Sequence, residues 1–125
     1  MRDVIERIEE KAIVLESVAG TILRQLGGKN KLVAMIGARD IFSDDGGKAL
    51  VFKFPNRKKS APNYVKIKLS ASDTYDIEFG RTGMKKDPDF PIKVPSYKKL
   101  KTMTDVYADD LIDVFERETG LYLRL

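Results

Sequence analysis

The 125-residue sequence contains no cysteine and no histidine. Without these side chains the chain cannot form disulfides, thiolate nucleophiles, Cys/His zinc sites or imidazole-based catalytic arrangements. It also lacks any apolar run near the ~18 residues of a membrane-spanning helix, and its N-terminus has no secretory hydrophobic region. We therefore expect a cytoplasmic protein with no catalytic residues, no metal site and no cofactor.

The composition that remains is typical of one folded domain covering residues 1–125. The chain is 42% hydrophobic and 34% charged, which is too apolar for a disordered segment. Its length suits a single hydrophobic core. The net charge is only +4, so the distribution of charge along the chain is more informative than the sum.

Residues 1–28 have the pattern of a long amphipathic helix. Asp3 and Glu6 form a capping-box arrangement at its start, and Gly27 and Gly28 end it. Apolar residues spaced three and four apart continue to Leu26 as a heptad seam, close to the lower length limit for a coiled coil. Two interpretations stay open: the whole seam packs on its own domain, or its N-terminal half overhangs. In the second case a homodimer would form through Ile5, Ile8, Ala12 and Leu15.

Two stretches of alternating polarity predict a β-hairpin over residues 64–80. If the turn is centred on Ser72, apolar residues face each other on one side and opposite charges on the other. Two independent patterns thus predict the same register. The expected partners are Val65 with Phe79, Ile67 with Ile77, Leu69 with Tyr75, Lys66 with Glu78, and Lys68 with Asp76.

The remaining elements complete a predicted α+β fold. Residues 31–38 form a short apolar run, interpreted as a buried strand, and residues 49–54 alternate as another. Residues 81–101 contain three prolines and are expected to form an extended loop or an edge strand. A second helix is expected from about residue 104 to 119. The predicted architecture is a long N-terminal helix, an antiparallel four- to five-stranded meander, and a C-terminal helix packed on one sheet face. The predicted inner row is Leu50, Phe52, Phe54, Val65, Ile67, Leu69, Tyr75, Ile77 and Phe79.

Positive charge is concentrated in residues 56–69 and 81–101. Such segments suit phosphate binding, and Tyr64 and Tyr97 flank them as residues that stack on bases. Two other interpretations stay open, namely solvated lysine-rich loops and a surface for an acidic protein. The candidate nucleic-acid-binding residues are Arg57, Lys58, Lys59, Lys66, Lys68, Arg81, Lys85, Lys86, Lys98, Lys99 and Lys101.

Four acidic residues fall on one face of the predicted second helix. They are spaced i, i+4, i+8 and i+11, opposite its apolar side. A solvated outer face is the favoured interpretation, and the alternative is Mg²⁺ binding by carboxylates in a metal-dependent enzyme. The residues are Asp105, Asp109, Asp113 and Glu116.

Several segments together resemble a family of small, uncharacterised proteins encoded by bacteriophages and mobile elements. The resemblance covers most of the chain from about residue 20 onward, and it carries no catalytic motif. It implies a protein that acts in the cytoplasm of a bacterial host, where nucleic-acid handling and inhibition of host defence are common tasks for small basic proteins. The segments are residues 22–28 (ILRQLGG), 34–38 (AMIGA), 73–79 (DTYDIEF), 106–109 (VYAD) and 119–123 (TGLYL).

These observations predict a small non-enzymatic binding protein of phage type. Its expected partner is nucleic acid, or a complex that handles nucleic acid, contacted through the two basic segments. The alternative is a protein-binding inhibitor of a host enzyme or defence system that does not touch nucleic acid itself.

Overall fold

The computed structural model of the protein describes residues 17–123. Its five strands form one antiparallel sheet in the order β1-β2-β3-β4-β5, so each strand pairs with its neighbours in the chain. Short 3₁₀ turns at Asp45–Gly47 and Ala108–Asp110 precede β2 and the last helix. The elements in chain order are α1 (Val18–Gln25), α2 (Lys29–Ile36), β1 (Arg39–Asp44), β2 (Ala49–Lys53), β3 (Tyr64–Leu69), β4 (Tyr75–Lys86), β5 (Lys93–Val106) and α3 (Leu111–Thr119).

The predicted hairpin register between β3 and β4 is confirmed. Val65 pairs with Phe79 and Lys66 with Glu78, and the other three predicted pairs are also present. The turn is tied by the Ser70 hydroxyl, which donates to the Thr74 carbonyl at 3.0 Å. Alternation of apolar and charged residues therefore gives the sheet one face toward the helices, called the inner face here, and one opposite outer face.

The hydrophobic core lies between the inner face and the three helices. The predicted inner row is buried except for Leu69, which is partly buried against the core. Phe115 of α3 contacts Phe52 and Phe54, with ring centroids 5.9 and 5.4 Å apart. The covering helices have eight, eight and nine residues. Within residues 17–123 no helix has the length and apolar character needed to cross a membrane.

The prediction of one long N-terminal helix is wrong. α1 begins at Val18 because Ser17 is extended (φ −77°, ψ 169°) and its hydroxyl accepts the Gly20 N–H at 3.1 Å. An N-cap residue marks the start of a helix and has non-helical backbone angles, so one continuous helix cannot run through Ser17. Ala19, Ile22 and Leu26 of the seam are buried in the protein's own core. The dimer seam of Ile5, Ile8, Ala12 and Leu15 lies outside the described residues.

The segment expected to be a strand at residues 31–38 is helix α2. Only Leu32 and Ile36 are buried in it, a spacing of one helical turn, while Val33 is 46% exposed. Gly37 adopts a left-handed conformation (φ 70°), and its N–H closes the helix on the Val33 carbonyl at 3.0 Å. The first strand starts later, at Arg39, where no strand was predicted.

Residues 81–101 are not one element: 81–86 continue β4, 87–92 form a turn, and the edge-strand interpretation is confirmed only for residues 93–101. β5 lies at the edge of the sheet and accommodates Pro95 opposite Met84. The second helix starts later than predicted, because residues 104–106 complete β5 and Asp105 has a positive φ of 57°. The chain then turns through Ala108–Asp110 before α3.

Candidate nucleic-acid interface

The loop between β2 and β3 presents three consecutive cations at residues 57–59. We call residues 56–61 the basic loop. One nitrogen of the Arg81 guanidinium, Nη1, lies 3.2, 3.3 and 3.1 Å from the carbonyl oxygens of Asn56, Lys58 and Ala61 and donates to them. Arg81, one of the candidate phosphate-binding residues, thus also holds the loop that carries the exposed cations.

A second anchor fixes the start of the basic loop. The Asn56 side-chain amide donates to the carbonyls of Pro62 and Thr119, both at 3.0 Å. Its oxygen accepts the Lys58 N–H at 3.3 Å. The loop is therefore tied to the end of α3 as well as to β4, so its cations are displayed from an ordered backbone.

Beyond Gly80, β4 has no pairing with β3 and continues with β5 alone. We call this two-stranded projection, residues 81–98, the arm. It carries five cations, and its two carboxylates are confined to its end at Asp87 and Asp89. In the described part of the chain, no arm lysine is within ion-pairing distance of a carboxylate.

The basic loop and one side of the arm form a continuous surface. Arg81 and Lys98 are directly opposite each other, and Lys59 lines the same depression of about 460 Å³. Lys85 follows Arg81 by four residues in the strand and so faces the same side. This surface, called the basic face, consists of Arg57, Lys58, Lys59, Arg81, Lys85 and Lys98.

Two of the other predicted cations are neutralised on the outer face. Lys66 lies 3.3 Å from Asp44 and 3.0 Å from Asp45, and Lys68 lies 3.5 Å from Asp45. The hydrogen bond from Lys66 lowers the pKa of Asp45. For Lys66 partial burial works in the opposite direction, but the hydrogen bonds to both carboxylates raise its pKa overall. Neither lysine belongs to the basic face.

Lys99 and Lys101 are also paired with carboxylates. The Lys99 ammonium is 3.7 Å from Glu78, and that of Lys101 is 2.9 Å from Glu118 on α3. The hydrogen bond from Lys101 lowers the pKa of Glu118. Lys86 has no such partner in the part of the chain described here, but by strand alternation it lies on the opposite side of the arm.

The two tyrosines expected to stack on bases contact each other instead. Their ring centroids are 5.0 Å apart in an edge-to-face arrangement. The Tyr97 hydroxyl donates to Glu78 at 2.6 Å, and burial together with this hydrogen bond raises its pKa. The Tyr97 ring lies over Gly80, where a Cβ would collide with it. Tyr97 is still 45% exposed, while Tyr64 is half-buried.

A groove on the outer face was not predicted from the sequence. It has a volume of about 700 Å³, and its apolar walls come from Phe42, Tyr64, Met84 and Tyr97. Arg39 and Lys53 add positive charge to it. The groove could not be predicted because β1, which supplies Arg39 and Phe42, has no recognisable strand pattern in the sequence. We call this depression the groove.

The four acidic residues do not form the predicted stripe. Asp105 lies in β5 and accepts from the Thr74 hydroxyl at 3.4 Å, and Asp109 lies in the turn before α3. On α3, Glu116 accepts the Leu123 N–H at 2.8 Å. The stripe prediction is wrong because the helix begins only at Leu111. Among residues 17–123 no three carboxylates come close enough together to hold a metal ion.

No protein-family model, no curated protein and no solved structure matches this chain. The resemblance to phage and mobile-element proteins therefore stays a prediction.

Proposed function

We propose that this protein is a non-enzymatic nucleic-acid-binding protein, and that the basic face is its contact surface. The observation that carries the proposal is the convergence of Lys59, Arg81 and Lys98 in one depression. These cations come from distant parts of the sequence, and the carboxylates Asp44, Asp45, Glu78 and Glu118 are paired with other lysines, at Lys66, Lys68, Lys99 and Lys101. Positive charge without internal neutralisation attracts a polyanion.

The shape of the surface supports the same function. The arm is a two-stranded ribbon, and a ribbon of this kind fits the major groove of duplex DNA. The basic loop lies at the base of the arm, where it can meet the phosphates that flank the groove. The contacts are mainly ionic, so we propose that the protein binds the backbone of the duplex with little sequence preference.

The proposed setting is the cytoplasm of a bacterial host, as the resemblance to phage proteins implies. The chemistry requires no further group, because phosphate contacts need only cations and backbone donors. Inhibition of a host enzyme without nucleic-acid contact is the competing function, and the experiment below separates the two.

The test is fluorescence anisotropy with a labelled duplex at increasing salt. We expect affinity to fall steeply between about 50 and 200 mM salt, since each phosphate contact adds about 0.9 to the slope of log K against log salt. Lys58→Ala with Lys59→Ala should reduce the slope by about 2. Reversal of both to Glu should abolish binding.

The matched control is Lys29→Glu with Lys31→Glu on α2. It makes the same change of charge at two exposed positions that do not belong to the basic face. Binding by this variant should stay close to that of the unmodified protein. An equal loss in both reversed variants would mean that only net charge matters, and salt-independent binding would exclude the proposed surface. Capture of a protein partner that survives nuclease treatment would favour the inhibitor function.

A further inference from the structure

The end of the arm is an ordered turn with exposed apolar side chains. The Asp87 N–H donates to the Ile92 carbonyl at 2.9 Å, and the Asp89 N–H donates to the Asp87 carboxylate at 2.8 Å. Phe90 is 63% exposed and Ile92 is 55% exposed. We call residues 87–92 the tip. The tip combines two apolar side chains with two negative charges.

The groove has the complementary chemistry. Its apolar walls include Met84, which is 61% exposed, and the half-exposed ring of Tyr97. Its charged residues have a net charge of +1: Lys53 is paired with Asp40 at 3.8 Å, and Arg39 has no ion pair among the described residues. The apolar side chains of the tip thus match the apolar walls of the groove, and Asp87 and Asp89 offer ion-pair partners to Arg39. Lys86 and Lys93 adjoin the tip on the same side of the arm.

We propose that the tip docks into the groove of a second copy of this chain. The tip cannot reach its own groove, because one wall of that groove is the base of the same arm, at residues 82–84 and 95–97. Along the paired ribbon the tip begins roughly 10 Å beyond Met84, at about 3.3 Å per residue. A second copy related by a two-fold axis lays its arm antiparallel to the first, so that each tip enters the other copy's groove.

This arrangement does not depend on the proposed nucleic-acid function. Docking uses the side of the arm that carries Met84 and Tyr97, whereas the cations of the basic face lie on the side that carries Arg81, Lys85 and Lys98. The two surfaces meet at residues 82–84 and 96–97, which line both the groove and the depression of the basic face. The expected contacts pair Phe90 and Ile92 with the apolar walls, and the tip carboxylates with Arg39 and Lys53.

The experiment is sedimentation equilibrium of the full chain from low to high micromolar concentration. The mass should rise from the 14.1 kDa of one chain toward twice that value. Two charge-reversed variants, Asp87→Lys with Asp89→Lys and Arg39→Glu with Lys53→Glu, should each stay monomeric. Mixing them should restore the dimer, because every tip and groove in the mixed pair is again of opposite charge.

The control is again Lys29→Glu with Lys31→Glu, which should dimerise normally, and circular dichroism confirms that all variants are folded. A protein that remains monomeric at every concentration would overturn the proposal. So would dimers of either reversed variant alone, because these would use another surface. Failure of the mixture to associate would overturn it as well, whatever the single variants do.

Discussion

At the scale of single residues, Gly80 controls how closely the outer face packs. The ring of Tyr97 occupies the space where a side chain at this position would begin. Gly80→Ala should therefore push the ring away and lower the free energy of unfolding by about 1–3 kcal/mol, as overpacking usually does. Urea denaturation measures this change.

Gly83→Ala is the matched control for that substitution. Its new methyl group would be 3.7 Å from the Ser96 hydroxyl, which is ordinary contact, so stability should barely change. The double variant Gly80→Ala with Tyr97→Ala should cost less than the sum of the two single substitutions, because the added methyl group then has no ring to collide with. A double variant whose cost equals the sum of the single costs would show that the two residues do not interact.

Lys101 gives a second prediction at this scale, one that depends on pH. The Lys101 ammonium lowers the pKa of Glu118 in the folded protein. The stabilisation is therefore complete above the unfolded pKa, about 4.3 for glutamate, and is lost as the pH falls through the lower folded value. Lys101→Met should cost less than about 1 kcal/mol at neutral pH, because the pair is partly exposed.

Urea denaturation at several pH values checks this. The difference in stability between the Lys101→Met variant and the unmodified protein should shrink as the pH falls from about 5 to about 3. Lys99→Met is the control, since its ammonium lies farther from its carboxylate partner, at 3.7 Å. A difference that does not vary with pH would mean that Lys101 acts through packing of its hydrocarbon chain.

At the scale of secondary-structure elements, Ser17 defines where α1 begins. Its hydroxyl satisfies an N–H that the helix itself cannot pair. Ser17→Ala should lower the free energy of unfolding by about 1 kcal/mol. Ser60→Ala, at an exposed position of the basic loop, should change stability by less than about 0.5 kcal/mol. Thermal and urea denaturation compare the two, and equal effects would argue against a capping role for Ser17.

The elements differ in how well the sequence predicts them, for physical reasons. The β3–β4 hairpin is predictable because apolar alternation and opposite charges independently require one register. The boundary at Ser17 is not, because a serine within an apolar periodicity fits a helix interior and an N-cap equally well until its backbone angles are known. The run at residues 31–38 is too short for periodicity to separate a helix from a strand.

The ion pairs of Lys66 are a further feature that the register of one hairpin does not predict. Lys66 lies opposite Glu78 in the ladder, as predicted, yet its ammonium is placed beside Asp44 and Asp45. Asp44 is the last residue of β1 and Asp45 the first of the turn that follows, and β1 was not predicted. A pattern within one hairpin contains no information about side chains that a third strand brings near.

At the scale of the whole molecule, the arm is separable from the core. Among the described residues, every buried core side chain comes from outside residues 81–98. Thr82 and Tyr97 face each other in the ladder, so an Asn-Gly turn can join them and replace residues 83–96. The shortened protein should keep its circular dichroism spectrum and melt within a few degrees of the full chain.

The same shortened protein should bind duplex DNA more weakly and with a smaller salt slope, because Lys85 of the basic face is removed. It should also stay monomeric at all concentrations, because it has no tip. Anisotropy and sedimentation equilibrium measure the two effects separately. Unchanged DNA affinity would restrict the binding surface to the basic loop.

The candidate site was predictable in composition but not in arrangement. The cations at residues 57–59, Lys85 and Lys98 were identified from charge density alone. That Arg81 supports the loop, and that Lys66, Lys68, Lys99 and Lys101 are neutralised, depends on contacts between residues far apart in the sequence. Charge density finds candidates, and only the fold separates the free cations from the paired ones.

The long edge strand β5 has a consequence for the behaviour of this protein in concentrated solution. Among residues 17–123 no strand other than β4 pairs with β5 (Lys93–Val106), and an unpaired edge is a template for fibril growth. Its four lysines and Pro95 act as gatekeepers against such growth. Acetylation of these lysines should therefore promote amyloid-like aggregation, whereas the cations of the basic loop, which lie on no strand, have no protective role of this kind.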